Sequence, residues 1–163
     1  MRMKKKIIID FFSKSKKWSR RTPKIKEISS NIKKYMINYF NSDFNYFINL
    51  VLSDEYNVKI LNKKYKNNNN DTDVLTFVNK ITNKNLGKTL YCDIFFSIDN
   101  IESFIKKNKV NFYDHFKHLL IHSFLHINNY DHKNKKDFEI MKKEEIKILK
   151  KFGITNPYSS DEY

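Results

Sequence analysis

Apolar residues follow two periods along the chain, close to two in its first part and close to 3.6 in its last. Residues 6–12 (KIIIDFF) are β-branched and aromatic and predict a strand. After the basic connector SKSKKWSRRT, Thr22 offers an N-cap and Pro23 a first-turn proline. Ile25, Ile28, Ile32, Met36 and Phe40 then keep helical spacing. Residues 46–53 (YFINLVLS) return to strand character, and Ser53 can cap a second helix through about Tyr65, carried by Val58, Leu61 and Tyr65. Residues 66–71 (KNNNND) read as a polar loop and 72–78 (TDVLTFV) as a strand. The stretch KITNKNLGKT predicts a turn into a further strand over 89–97, ending in LYCDIFFS, and the two strands form a hairpin. Three helical segments follow, 99–108, 112–127 and 136–151, with Gly153 placed to end the last. Strands early and helices late, with no repeat and no change of composition, predict one α+β domain over residues 1–163. It should hold about four strands together with its helices.

A chain of 163 residues with a 40% hydrophobic share can build a real core. Its formal net charge of +14 points to an anionic partner, with nucleic acid the usual one. Alanine and glutamine are absent and lysine far outnumbers arginine, so part of that excess reflects the base composition of an AT-rich genome. The charge acts on phosphate backbones whatever its origin. Cys92 is the sole cysteine, which excludes an intrachain disulfide and fits a reducing compartment. The opening MRMKKKIIIDFF has an apolar run too short for a signal peptide, and no stretch reaches the length of a membrane span. A soluble cytoplasmic protein is the expectation.

All five histidines fall between positions 115 and 132. His118, His122 and His126 are spaced by four and share one helix face. Asn128 and Asn129 can end that helix in a left-handed turn, which would bring His132 back toward His122 and His126. Three neutral imidazoles with one open position suit a catalytic zinc ion, one per chain, better than a closed structural site. Imidazole also accepts nickel and copper. His118 lies a turn further back, where it would act behind the ligands or on substrate, and His115 is expected at the surface. The zinc-peptidase motif H-E-x-x-H would need a glutamate where this chain has Ser123, so the peptidase reading lacks its general base.

These residues resemble a known family. HSFLHINNYDH is similar to the H-G-x-L-H-L-x-G-Y-D-H signature of the YbeY endoribonucleases. LNKKYKNNNNDTDVLTF, 61–77, resembles the family's L-N-x-x-Y-R…P-T-D-V-L-S-F segment. YCDIFFS resembles its L-G-D-I-x-I strand, and Met141, Glu145, Ile148 and Leu149 match its final helix. The likeness spans about 45–153. It implies a small mixed β-sheet of about four strands flanked by helices, with the metal-binding histidines on a central helix and the turn after it. It also implies a zinc-dependent endoribonuclease directed at single strands, acting in 16S ribosomal RNA 3′ end maturation and ribosome quality control. His122, His126 and His132 carry over as metal ligands. Single-stranded RNA and pre-ribosomal RNA are the implied substrates, and the small ribosomal subunit, with a ribosomal protein or an assembly GTPase, the implied partners. No membrane is involved.

Four positions depart from the family pattern. Ser123, Asn129 and Cys92 replace glycines, and Lys66 replaces an arginine, exchanging a bidentate fork for a point charge. Lys66 is still expected to attract the scissile phosphate, with His118 and Asp131 orienting ligand rings or relaying a proton. Thr72 and Asp73 would shape the cleft floor, with loop-backbone hydrogen bonding as the other use of Asp73. Lys63, Lys64, Arg20 and Arg21 would steer RNA, and Trp18 would be available for base stacking. Two other classes fit the same residues: a nonenzymatic, zinc-stabilised ribosome assembly factor, and a zinc hydrolase of peptides or nucleotides.

Overall fold

The computed structural model describes residues 5–85 and 87–158. Its strands are β1 (Ile7–Ser13), β2 (Phe44–Ser53), β3 (Val74–Asn83) and β4 (Gly87–Ser97). Its α-helices are α1 (Thr22–Tyr35), α2 (Glu55–Lys66), α3 (Ile98–Asn108), α4 (Phe112–Ile127) and α5 (Lys135–Lys151). The sheet order is β1-β2-β4-β3. β2 pairs in parallel with both β1 and β4, while β3 runs antiparallel to β4. Parallel neighbours require a crossover, and α1 supplies the one from β1 to β2. The expected α+β architecture with a mixed sheet of four strands is the one observed.

Alternation decides which sheet face is buried. Tyr46, Ile48, Leu50 and Leu52 of β2 stand beside Leu90, Cys92, Ile94 and Phe96 of β4, and all are buried. Over this face lies α4, which is apolar almost all round and therefore central. Its neighbours are α1, α3, α5 and β3. Phe116, Leu120 and Phe124 of α4 are wholly buried, and each stabilises the fold by about 1.5–3 kcal/mol over an exposed side chain. This central helix also carries four of the five histidines, so the core itself fixes where their rings can point.

Several expected boundaries shift. Helix α1 ends at Tyr35, and Met36 and Phe40 keep their buried positions through a short 3-10 turn at Ile37–Tyr39. Thr22 is already helical and donates its hydroxyl to the Trp18 carbonyl (3.0 Å), so it is not the N-cap. The cap of α2 is Asp54, whose side chain accepts from the Asn57 N–H at 2.9 Å, while Ser53 closes β2. Lys66 is the last residue of α2, not the first of a loop, because Asn67 takes the left-handed conformation (φ 49°) that ends the helix. The hairpin extends to the Asn83–Gly87 pair, so most of the expected turn belongs to the ladder. Leu86 lies outside the described residues. No helix among the described residues is long and apolar enough to cross a membrane.

Candidate metal centre

Helix α4 starts at Asn111, whose side chain accepts from the N–H groups of Tyr113 and Asp114 at 2.9 and 3.2 Å. Its other end is a Schellman turn. Asn129 has φ 70°, its N–H reaches the His126 carbonyl (3.1 Å), and the Tyr130 N–H reaches Leu125 (3.0 Å). Asparagine tolerates the left-handed region better than other residues with a Cβ. The reversal carries His132 back to the helix.

The ligand-capable atoms of His122, His126 and His132 all lie within 4.8 Å of one another. The rings of His122 and His126 are each held from behind by an acceptor. The Nδ1 of His122 faces a carboxylate oxygen of Glu145, and the Nδ1 of His126 faces the Tyr130 carbonyl at 3.0 Å. Both partners only accept, so each ring donates from Nδ1 and leaves Nε2 with a lone pair. Those two Nε2 atoms sit 2.9 Å apart. Facing lone pairs repel unless a cation lies between them, so the donor set fits a metal ion. Burial, followed by the neighbouring His122 and His132, pushes the His126 imidazole down to about 4, and it is neutral and ready to ligate at pH 7.

Glu145 of α5 is the hidden part of the centre. It is 1% exposed. One oxygen takes His122, and the other takes the His118 Nε2 at 2.9 Å together with the Tyr158 hydroxyl. Burial alone would raise this carboxyl, but the hydrogen bonds from His118 and His122 outweigh it and hold the group at about 2. It is therefore an anion behind the imidazoles. One sequence signal could have found it: Met141, Glu145, Ile148 and Leu149 form the buried stripe of α5, and a carboxylate in such a stripe needs partners. Tyr158 gave no signal.

The histidines open onto a cleft of about 810 Å³ between α4, β3 and the end of α2. Lys66, Thr72, Asp73, His118 and Asp131 all line it. The Lys66 ammonium lies 5.1 Å from the centre of the Phe77 ring. Asp131 accepts from the His132 backbone N–H at 2.8 Å, holding the turn rather than a ring. Thr72 donates to the Val74 carbonyl at 3.1 Å. Asp73 meets the His115 Nε2 at 2.7 Å, and His115 is not at the surface as expected. It is buried, with its ring stacked on Phe104 at 4.1 Å.

The remaining expected RNA contacts lie elsewhere. Lys63 and Lys64 are exposed near the end of α2, outside the cleft wall. Arg20 is exposed, while Arg21 packs over Phe112 at 4.0 Å and pairs with Glu102 at 3.2 Å. Phe112 opens α4 and His122 lies about 15 Å further along its axis, so this pair is at the far end of the helix from the histidine site. Trp18 cannot stack on a base. Its indole is fully buried, donates to the Ser53 carbonyl at 2.8 Å and meets Phe112 and Phe116 edge-on. An amphipathic tip found a partner inside the core. The Cys92 thiol is also buried, which pushes it up to about 12 and leaves it inert.

A family model described as endoribonuclease YbeY matches residues 10–153. An endoribonuclease YbeY of Ehrlichia ruminantium (strain Gardel) is 39% identical over 151 residues, 90% of this chain and 92% of that protein. The one of Anaplasma phagocytophilum (strain HZ) is 36% identical over 146 residues, 88% of this chain and 92% of its own. A solution structure of a Thermotoga maritima protein has the same fold, with a TM-score of 0.52 and 23% identity over 96% of this chain and 100% of that one.

Proposed function

Because the chain belongs to the YbeY endoribonuclease family, we propose that it is a zinc-dependent endoribonuclease that cuts single-stranded RNA. Its task in this reading is 16S ribosomal RNA 3′ end maturation and ribosome quality control in the cytoplasm, on pre-ribosomal RNA in the small subunit. A ribosomal protein or an assembly GTPase is the candidate for delivering the substrate. One observation carries the proposal: two imidazoles, each backed at Nδ1 by an acceptor, bring their Nε2 atoms together on the wall of a cleft of about 810 Å³ that Lys66 also lines.

His122, His126 and His132 would hold the ion. A bound divalent ion supplies Lewis-acid charge at a phosphoryl oxygen and acidifies a water. The rest is the work of the chain. Lys66, across the cleft, attracts the scissile phosphate and shares the negative charge that develops on its oxygens. His118 keeps Glu145 in place, and Glu145 keeps His122 in its ligating form. Asp131 holds the turn that presents His132. Lys63, Lys64, Arg20 and Arg21 add to a field that draws RNA toward the protein, through long-range attraction.

The test is cleavage of a single-stranded RNA by protein purified without an affinity tag, with His126→Ala as control. The wild type should carry one equivalent of zinc and cut the RNA, and the variant should lose both. Equal residual cleavage in the two proteins would leave a nonenzymatic assembly factor. Hydrolysis of peptides or nucleotides with none of RNA would transfer the site to a different substrate.

A further inference from the structure

We propose that the segment following α5 is a working part of the metal centre, with Tyr158 and Glu145 as positioning residues that keep His122 in its ligating form. The inference rests on reading His122, His126 and His132 as ligands. It goes beyond the family match, which ends at residue 153.

The chain reaches the site by a reversal. Gly153 takes φ 73°, a left-handed conformation that is strained for other residues, and the Ile154 N–H closes the turn on the Leu149 carbonyl at 3.1 Å. The segment then returns along α5. The Tyr158 ring lies edge-on to Phe138, with centroids 6.3 Å apart, and 5.0 Å from the Lys142 ammonium. Phe138, Lys142 and Glu145 share one face of α5 by helical spacing. The same ring meets His118 edge-on at 5.5 Å, and its hydroxyl donates to Glu145. The Asn156 side chain steadies the turn by accepting from the Tyr158 N–H at 2.8 Å.

The consequence lies in how one buried carboxylate divides its oxygens. Tyr158 and His118 both converge on Oε2, which leaves Oε1 to His122. Without the tyrosine hydroxyl, Oε2 keeps one donor and the carboxylate can turn, so His118 and His122 compete for it. The His122 proton is then free to move to Nε2, the atom that must be bare to bind an ion. Glutamine at 145 has a single acceptor oxygen for donors arriving on two sides, so the same loosening arises by another route.

Zinc affinity should be measured by competition with a chromophoric chelator for the wild type, Tyr158→Phe, Glu145→Gln and the double variant, each first stripped of metal. Imidazole nitrogen NMR of the stripped proteins reports the His122 tautomer, which a purely structural role would not move. Tyr158→Phe should weaken zinc binding about tenfold and Glu145→Gln by roughly 10- to 100-fold. The double variant should be no weaker than Glu145→Gln alone, because Tyr158 acts through Glu145. Wild-type affinity and tautomer in Tyr158→Phe, or losses that add in the double variant, would overturn the inference while leaving the ligands in place. A wild type that takes up no zinc would overturn the ligand reading itself. Urea midpoints check that each variant is folded, and if Glu145→Gln is not, Tyr158→Phe decides alone, since it keeps the ring and its packing.

Discussion

Lys66 and Ser123 show how far single side chains set the behaviour of this site. In the proposed reaction the ammonium of Lys66 would offer a phosphate a point charge, whereas a guanidinium would grip two oxygens at once. Lys66→Arg should therefore raise the cleavage rate. A gain of about 1 kcal/mol corresponds to roughly fivefold, with zinc content unchanged. An unchanged rate would remove the side chain from the chemistry. Ser123, next to His122, is fully buried, and its hydroxyl has no hydrogen-bond partner among the described residues. Ser123→Ala relieves that burial and improves helix propensity, so it should raise the urea midpoint by an amount equivalent to about 1 kcal/mol. The imidazole cluster was legible because its positions repeat at helical spacing and Asn129 announces the turn. Trp18 and His115 were not, since a basic or polar neighbourhood in the chain conceals partners that only folding supplies: the Ser53 carbonyl for one and Asp73 for the other.

The elements around the site are joined at their ends. Asp73, just before β3, holds the first turn of α4 through His115, and its backbone carbonyl accepts from the Ser97 N–H at 2.9 Å where β4 passes into α3. Burial raises the Asp73 carboxyl, but the hydrogen bond and charge of His115 outweigh it, so the folded-state pKa lies below the ordinary value. A carboxyl lowered by folding stabilises above its unfolded pKa, about 3.9 for aspartate. That contribution disappears as pH falls from there through the folded value. Asp73→Asn should lose about 1.5 kcal/mol at neutral pH, and its stability should fall less steeply in acid than that of the wild type. Parallel acid-unfolding curves for the two proteins would refute the link. Strand and helix identities were legible from period alone, while boundaries were less so. Ser53 and Asp54 can both cap a helix, and the end of the β2 ladder at Ser53 decided between them. Three of residues 80–83 are polar and all four are exposed, which made paired strand look like turn.

At the scale of the whole molecule, the fold should not depend on a bound ion. One core runs from Trp18 to Leu149, and the candidate ligands sit at its rim. A chelator should therefore strip the metal and leave the far-ultraviolet circular dichroism as it was, unlike a zinc finger. Zinc at a hundred times its dissociation constant adds about 2.7 kcal/mol, which raises the melting temperature by roughly 5–10 °C. Unfolding on chelation would contradict this. The architecture was readable from the order of strands and helices, but the parallel pairing of β2 with β4 was not, because adjacency across a sheet leaves no mark in local pattern. That pairing has a kinetic corollary. Ile7 meets Tyr46, and Ile48 meets Cys92, only after long intervening segments have closed. The slow part of refolding should therefore be over before α4 has a surface to dock on. The histidines meet on the downhill side of that barrier, so added zinc should act as a brake on denaturation and leave the speed of renaturation untouched.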